Sequence, residues 1–195
     1  MRNPATTEIF EYWTGLCDGR LPPMRNEIDP VALRRFLPHL FIVANEADDQ
    51  LTFRLAGTRL CELFGGEFRG MPFRTIWDLE ENDRAQEVVM QILVHEKPAI
   101  ADVVLNVAGT SIECEMLMMP LRSSETGSDR VLGALLPADG PFPVAARPAS
   151  GLHLQDWGFV ESDETGGLSV CGHDQPQLVQ SGLLRRFLPA SFFPQ

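Results

Sequence analysis

Apolar and polar residues alternate along Leu51–Ala56, and the segment that begins there shows most of the plan of the chain. The apolar positions of the alternation are Leu51, Phe53 and Leu55. A period of two is that of a half-buried strand. Gly57 interrupts it, and a helical spacing follows at Leu60, Leu63 and Phe64. The segment predicts a strand that turns at a glycine into a short helix.

Longer helices are predicted where apolar residues recur three and four positions apart. The first begins at Asn3-Pro4, ends near Gly19 and carries Ile9, Tyr12, Trp13, Leu16 and Cys17. The last begins at Asn82, ends before Pro98 and carries Ala85, Val88, Val89, Ile92 and Leu93. Between them the sequence predicts a helix from Asp29 to Pro38 and a single helical turn at Phe73–Trp77.

The remaining strands are predicted at four places. They are Leu40–Ala44, Ala101–Val107, Ile112–Met118 and Val131–Leu136. Leu40–Ala44 and Leu51–Ala56 are close enough in sequence to form a hairpin. Ser123–Asp129 is predicted to be a polar loop. One antiparallel sheet with helices packed on one side follows, which is an α+β arrangement.

The composition changes after Gly140. A proline- and alanine-rich stretch comes first, and Glu161–Gly182 is polar and weakly periodic, which favours linker or disorder. Between them lie four apolar residues that could dock on the domain: Leu152, Leu154, Trp157 and Phe159. We therefore expect flanking helices at 1–38, a core at 39–137 and a C-terminal extension, largely linker or disordered, at 138–195.

A hexapeptide occurs twice in the chain. Leu184–Pro189 repeats the sequence LRRFLP of Leu33–Pro38 residue for residue. Coincidence in a chain rich in arginine and leucine is one interpretation. The other is that the two copies compete for one groove.

Charge and cysteine content restrict the function classes. The net charge of −11 disfavours binding to nucleic acid, because a negative surface repels phosphates. The four cysteines form no CxxC pair, which favours reduced thiols over a zinc site or a disulfide framework. The N-terminus lacks the apolar core of a signal peptide, and no run is long enough to cross a bilayer. We expect a cytoplasmic protein.

Several short sequences, in their order and spacing, resemble the short single-domain bacterial PAS-like proteins, a family of unknown function within the PAS superfamily. They are Tyr12-Trp13, Pro23-x-Arg25, Ile28-Asp29-Pro30, Leu37-Pro38, the FRLAGT of Phe53–Thr58, Phe64-Gly65, Gly70, Trp77, Pro120-Leu121 and Leu132-Gly133. The resemblance extends from about Ile9 to Leu136.

The resemblance implies a five-stranded antiparallel sheet with short helices and one longer helix on one face, preceded by the N-terminal amphipathic helix. It also implies a sensory or regulatory module that acts on a signalling partner. The family has no agreed catalytic residues, and the chain contains none of the common catalytic or phosphate-binding motifs. We therefore expect no enzymatic activity.

Cofactors are not expected. Flavin photosensors of the PAS type carry a reactive cysteine near the second short helix, and Gly70–Trp77 contains no cysteine. Haem-binding relatives place a histidine on the long helix, where His95 lies. His95 falls in the last turn, however, where a solvated histidine is favoured by the helix dipole. No metal site is expected.

Nine apolar residues are predicted to converge between sheet and helices. They are Phe53, Leu55, Leu63, Phe64, Trp77, Val89, Leu93, Cys114 and Met116. They form either plain core or a pocket for a small apolar or aromatic ligand. Glu113 and Glu115 are interpreted as the solvated face of a strand rather than as a catalytic carboxylate pair.

The N-terminal helix needs something to cover its apolar stripe. In PAS proteins such a helix packs on the sheet or on its equivalent in a second protomer. We expect a homodimer whose interface includes Ile9, Tyr12, Trp13 and Leu16.

Overall fold

A seven-stranded antiparallel sheet organises the chain, in the order β2-β1-β5-β4-β3-β6-β7. The computed structural model describes residues 1–17, 21–46, 50–107, 109–142, 148–162 and 168–172. The strands are β1 Leu40–Asn45, β2 Leu51–Ala56, β3 Ala99–Val107, β4 Thr110–Ser124, β5 Gly127–Pro137, β6 Ala149–Ser162 and β7 Leu168–Gly172. The predicted α+β fold is confirmed. The five expected strands correspond to β1–β5, and β6 and β7 extend the sheet.

The described helices include three α-helices and several short 3₁₀ turns. The α-helices are α1 Pro4–Cys17, α2 Thr58–Phe64 and α3 Asn82–His95. The 3₁₀ turns are Arg25–Glu27, Leu37–His39, Phe73–Ile76 and Leu79–Glu81. The predicted helix from Asp29 to Pro38 is wrong. Turns occupy residues 30–36, where bonds such as Arg34 N to Val31 O and Phe36 N to Leu33 O span three residues and not four, and a 3₁₀ turn follows at Leu37–His39.

Both faces of the sheet are covered. The inner face, as we call it, carries α2, α3 and Phe73–Ile76 over one apolar cluster. The outer face carries α1 and the turn segment before β1 over a second cluster. The expectation that helices pack from one side is therefore correct for α2 and α3 and wrong for α1.

The corner between β2 and α2 requires glycine. A Cβ atom at Gly57 would lie 2.3 Å from the carbonyl oxygen of Leu37 and 2.4 Å from that of Pro38. The backbone N–H of Gly57 donates to Leu40 O at 2.7 Å. At the other end of α2, Gly65 has φ 70°, the left-handed conformation in which glycine is unstrained. Both ends of this corner are fixed by backbone geometry.

A bulge in β2 inverts the predicted alternation. Ile42 pairs with Leu55, but the next residue, Val43, pairs with Phe53, so Arg54 has no partner across the pair. An extra residue shifts every later side chain to the other face. Leu55 is consequently 40 % exposed, and its assignment to the inner cavity is wrong.

The polar segment Ser123–Asp129 is a hairpin and not an open loop. β4 and β5 run on to Ser124 and Gly127, which pair with each other across a two-residue turn. Asp129 accepts hydrogen bonds from the backbone N–H and the hydroxyl of Ser123. These local bonds stabilise a hairpin that has no apolar side chains of its own.

The C-terminal extension contributes to the sheet. β6 pairs with β3 from Ala99 to Val107 and β7 pairs with β6, so a strand, β7, lies within the stretch where the sequence favoured linker or disorder. Leu152 and Leu154 are buried in the inner cluster, which confirms their predicted docking. Residues 173–195, including the second LRRFLP copy, lie outside the described residues. The three proposed domain limits stay predictions.

Candidate functional site

The inner cluster is built around a group of phenylalanine rings. The ring of Phe53 lies 5.9 Å from that of Phe41, 5.5 Å from Phe68 and 5.6 Å from Phe73, measured between centroids. Phe41 and Phe53 are completely buried. Tilted and edge-on contacts of this kind add to the stabilisation that burial itself provides. These four phenylalanine rings hold one another by packing alone.

Most of the predicted cavity residues belong to this cluster. Seven are buried within it: Phe53, Leu63, Trp77, Val89, Leu93, Cys114 and Met116. Phe64 is half-buried and packs against it, and Leu55 does not belong to it. Eight of the nine residues therefore belong to or pack against one apolar cluster between sheet and helices. Whether these residues bind a ligand stays a prediction.

Trp77 brings a polar atom into the inner cluster. Its side chain is 6 % exposed, and its ring lies 5.7 Å from that of Phe73. The indole Nε1 has no hydrogen-bond acceptor among the described residues. A buried N–H without an acceptor costs free energy, so such groups are uncommon in folded proteins. The indole N–H of Trp77 can therefore donate a hydrogen bond to an acceptor atom that enters this cluster.

The outer face is covered by α1 from the same chain. Ile9, Phe10 and Trp13 are at most 5 % exposed and pack against strands β1, β4 and β5. The indole N–H of Trp13 donates to Pro120 O on β4 at 3.1 Å. Of the predicted interface residues, Ile9 and Trp13 thus face the sheet, and Tyr12 and Leu16 are half-buried. The apolar stripe that motivated the dimer prediction is covered within the monomer.

Glu115 anchors the beginning of α1. This β4 residue is 2 % exposed, so the expectation that it lies on a solvated strand face is wrong. Its carboxylate accepts hydrogen bonds from the backbone N–H groups of Arg2 and Asn3 and from the Thr6 hydroxyl, the last at 2.9 Å. A carboxylate is favoured at a helix N-terminus, because unpaired N–H groups and the helix dipole are both positive there.

Arg2 connects this anchor to the strand surface. Its guanidinium lies 2.7 Å from Asp102 and 2.8 Å from Glu113, and its Nε lies 3.8 Å from Glu115. The Asn3 side-chain amide donates to Pro137 O at 2.7 Å. The first three residues of the chain therefore join α1 to β3, β4 and β5 by charged and polar contacts.

A cavity of about 410 Å³ opens beside this anchor. Its lining is Met1, Arg2, Ile100, Asp102, Glu115, Asp156, Trp157 and Gly158. Asp102, Glu115 and Asp156 contribute three carboxylates to this lining, and Arg2 contributes a guanidinium. The cavity has an acidic lining and lies between the two residues that start the chain and strands β3, β4 and β6.

A signal for the burial of Glu115 was present in the sequence. Leu117, Met119 and Leu121 follow at alternate positions and share its face of β4, and all are fully buried. Continued apolar alternation predicts that the whole face is covered. Arg2, Asn3 and Thr6 gave no comparable signal, because capping partners distant in sequence leave no periodic pattern.

The remaining candidate groups are inert or isolated. Burial raises the pKa of the Cys17 thiol to about 11 and that of Cys114 to about 12, which keeps both protonated and weakly nucleophilic near neutral pH. His95 is exposed, with Nε2 3.1 Å from Gln91 Oε1. No group of three metal-ligating side chains exists among the described residues. The absence of haem and flavin stays a prediction.

Comparison with known proteins gives one family. A protein-family model described as PAS domain matches residues 1–136, a span that runs from before α1 to near the end of β5 and leaves out β6 and β7. No curated protein matches the chain. Within the described part of the chain, no helix is both long and apolar enough to span a membrane.

Proposed function

Because the chain belongs to the PAS domain family, whose members are sensory and regulatory modules, we propose that it regulates a signalling protein through direct contact. In this proposal α1 and the outer face are the output surface. The observation that carries it is the buried Glu115 carboxylate, which holds the start of α1 on the sheet by hydrogen bonds. The hydrogen bonds of Glu115 to Asn3 and Thr6 depend on distance and angle, so they are lost together when α1 shifts.

The outer face is suited to such a role. Below α1 lie fully buried apolar residues of β4 and β5, among them Leu117, Met119 and Ala134. Release of α1 would expose this surface and the apolar side of the helix at once. Exposed apolar area of that kind is recognised by other proteins. Recognition, and not catalysis, is then the output.

We further propose that α1 and the outer face mediate homodimerisation. Ile9 and Trp13 are covered within the monomer, so their use at an interface requires α1 to leave its own sheet and pack on that of a second copy. Light scattering at micromolar concentration tests this. A dimeric mass for the natural sequence that becomes monomeric in Trp13→Ala supports it. A monomeric mass for the natural sequence contradicts it.

The regulatory proposal has its own test. Glu115→Ala removes the anchor, whereas Glu113→Gln changes an exposed carboxylate of the same strand. Partners captured from the source cells by the natural chain are identified, purified and titrated against the three proteins. We expect Glu115→Ala to change their affinity at least tenfold and Glu113→Gln to leave it unchanged. Equal affinity for all three proteins contradicts the role of α1.

A second candidate function is supported by Trp77. Its buried indole N–H without an acceptor, set among aromatic rings, suits a small apolar or aromatic ligand that carries one acceptor atom. Native mass spectrometry of the freshly purified protein tests this. A bound mass that is retained in Trp157→Phe and lost in Trp77→Phe supports a sensor. The mass of the bare chain in all three proteins contradicts it.

A further inference from the structure

The first copy of the repeated hexapeptide, Leu33–Pro38, is attached to the outer face by two side chains. We call it the resident segment. Leu33 is 2 % and Phe36 is 8 % exposed, and both belong to the outer cluster. The guanidinium of Arg35 lies 4.6 Å above the Phe36 ring and pairs with Glu8 of α1. Arg34, between the anchors, is exposed.

The backbone around these anchors is bonded only to itself. Phe36 N donates to Leu33 O at 2.8 Å, Leu37 N donates to Leu33 O at 3.1 Å, and His39 N donates to Phe36 O at 2.8 Å. Among the described hydrogen bonds, none joins the backbone of residues 33–36 to a strand. The two anchors can therefore leave the outer face without breaking the sheet.

The structure shows how this sequence fills these two sites. The second copy, Leu184–Pro189, carries the same leucine, arginines and phenylalanine in the same order. Side chains of identical size and spacing can make the same apolar contacts, and Arg186 corresponds to the arginine that pairs with Glu8. Exchange of one copy for the other replaces each lost contact with an equivalent one, so the two arrangements differ little in contact energy.

The second copy can reach these sites within one molecule. β7 ends at Gly172, at the opposite edge of the sheet from β1, and five strand spacings of about 4.8 Å separate them, roughly 24 Å. Residues 173–183 connect Gly172 to Leu184. Eleven residues in extended form span up to about 36 Å.

We propose that Leu184 and Phe187 compete with Leu33 and Phe36 for the same two sites on the outer face of their own chain. In this proposal the C-terminal copy binds within its own chain at the sites that the resident segment occupies. The resident segment is linked to α1 by the ion pair of Arg35 with Glu8, so its displacement removes one contact of that helix. The competition concerns the outer face but does not depend on the proposed partner binding.

The test is a thermodynamic cycle. The double substitution Leu33→Ala and Phe36→Ala is made in the full chain and in a chain that lacks residues 183–195. In the full chain the second copy fills the vacated sites, so we expect the melting temperature to fall by at least about 5 °C less than in the truncated chain. Equal losses in the two backgrounds overturn the proposal.

Two further variants keep the cycle decisive. Leu184→Ala with Phe187→Ala, added to the full-length resident variant, should abolish the rescue, whereas Arg185→Ala should preserve it, because the corresponding Arg34 is exposed. If the double substitution prevents folding in both backgrounds, Phe36→Leu is compared in the same way, and equal losses again overturn the proposal. A rescue that grows with protein concentration assigns the second copy to another molecule and overturns competition within one chain.

Discussion

The two faces of the sheet are held by different kinds of interaction. The inner face is an aromatic cluster in which Phe53 contacts three other rings. The outer face is also apolar, but α1 is fixed there by a buried carboxylate and by the indole N–H of Trp13. Dispersion and burial are non-directional, whereas hydrogen bonds depend on distance and angle.

The two kinds of interaction respond differently when side chains move. An apolar cluster resists small displacements, because every contact weakens only gradually as side chains shift. Hydrogen bonds to the Glu115 carboxylate hold the start of α1 in addition to the burial of Ile9 and Trp13, so loss of that carboxylate weakens the docking of the helix. We infer that the inner face determines the stability of the fold and that the outer face determines whether α1 is docked.

Loss of an inner ring should have the largest effect. Phe53→Ala leaves a cavity among three aromatic neighbours, and we expect the free energy of unfolding to fall by about 3–5 kcal/mol. Urea denaturation monitored by circular dichroism measures it. Phe64→Ala is the matched control, since that side chain is only half-buried at the edge of the same cluster. A loss at Phe53 no greater than that at Phe64 would show that the cluster is not the stabilising centre.

Removal of the outer anchor should be the next largest effect. Glu115→Ala leaves two backbone N–H groups and the Thr6 hydroxyl without their acceptor, and we expect a loss of about 2–3 kcal/mol. Glu115→Gln retains one acceptor oxygen and should lose less. Glu113→Gln should change stability by at most about 0.5 kcal/mol, because that carboxylate is exposed.

Cysteine alkylation distinguishes local from global loss in the same variant. Cys17 lies at the end of α1 and Cys114 lies under the inner face, and both thiols are buried. In Glu115→Ala we expect alkylation of Cys17 to accelerate at least tenfold while that of Cys114 stays within twofold, followed by peptide mass spectrometry. Equal acceleration at both sites would mean that the faces do not open independently.

A smaller effect is expected from the hydrogen bond of Trp13. Trp13→Phe keeps an aromatic ring on the outer face but removes the donor to Pro120 O, leaving a buried carbonyl without its partner. We expect a loss of about 1–2 kcal/mol in urea denaturation. Tyr12→Phe, which removes an exposed hydrogen bond between its hydroxyl and Asp29 N, should cost less. The reverse order would indicate that the ends of α1 are fixed by the segment before β1.

Periodicity predicted the inner face well and the outer face poorly. Burial at Val89, Leu93 and Met116 follows from spacing alone, since each lies on the apolar side of a regular helix or strand. The bulge that exposes Leu55 left no signal, because an extra residue in a strand does not alter composition. The anchor at Glu115 depends on partners more than a hundred residues away, which no local pattern records.

The pairing of β6 with the sheet could not be predicted from the sequence for a related physical reason. β6 contains His153, Gln155 and Asp156 among its apolar residues, so its composition is that of a surface segment. Its burial comes from pairing with β3 and from the backbone bond of Asp78 N to Leu152 O at 2.9 Å. Gly151 permits this approach, because a Cβ atom there would lie 2.2 Å from Asp78 Oδ1. Backbone contacts of this kind leave no periodic pattern of apolar and polar side chains in the sequence.

The smallest expected effect concerns a histidine at the rim of the inner cluster. Burial lowers the pKa of His39, whose ring stacks on that of Phe142 at 5.8 Å. The neutral imidazole is therefore favoured in the folded chain, whereas in the unfolded chain histidine titrates near its ordinary pKa of about 6.5. As the pH falls below that value the unfolded state binds the proton first, so stability decreases down to the lowered pKa of the folded state. His39→Gln should flatten the dependence of unfolding free energy on pH between about 5 and 7. An unchanged slope would show that groups other than His39 govern the dependence of stability on pH.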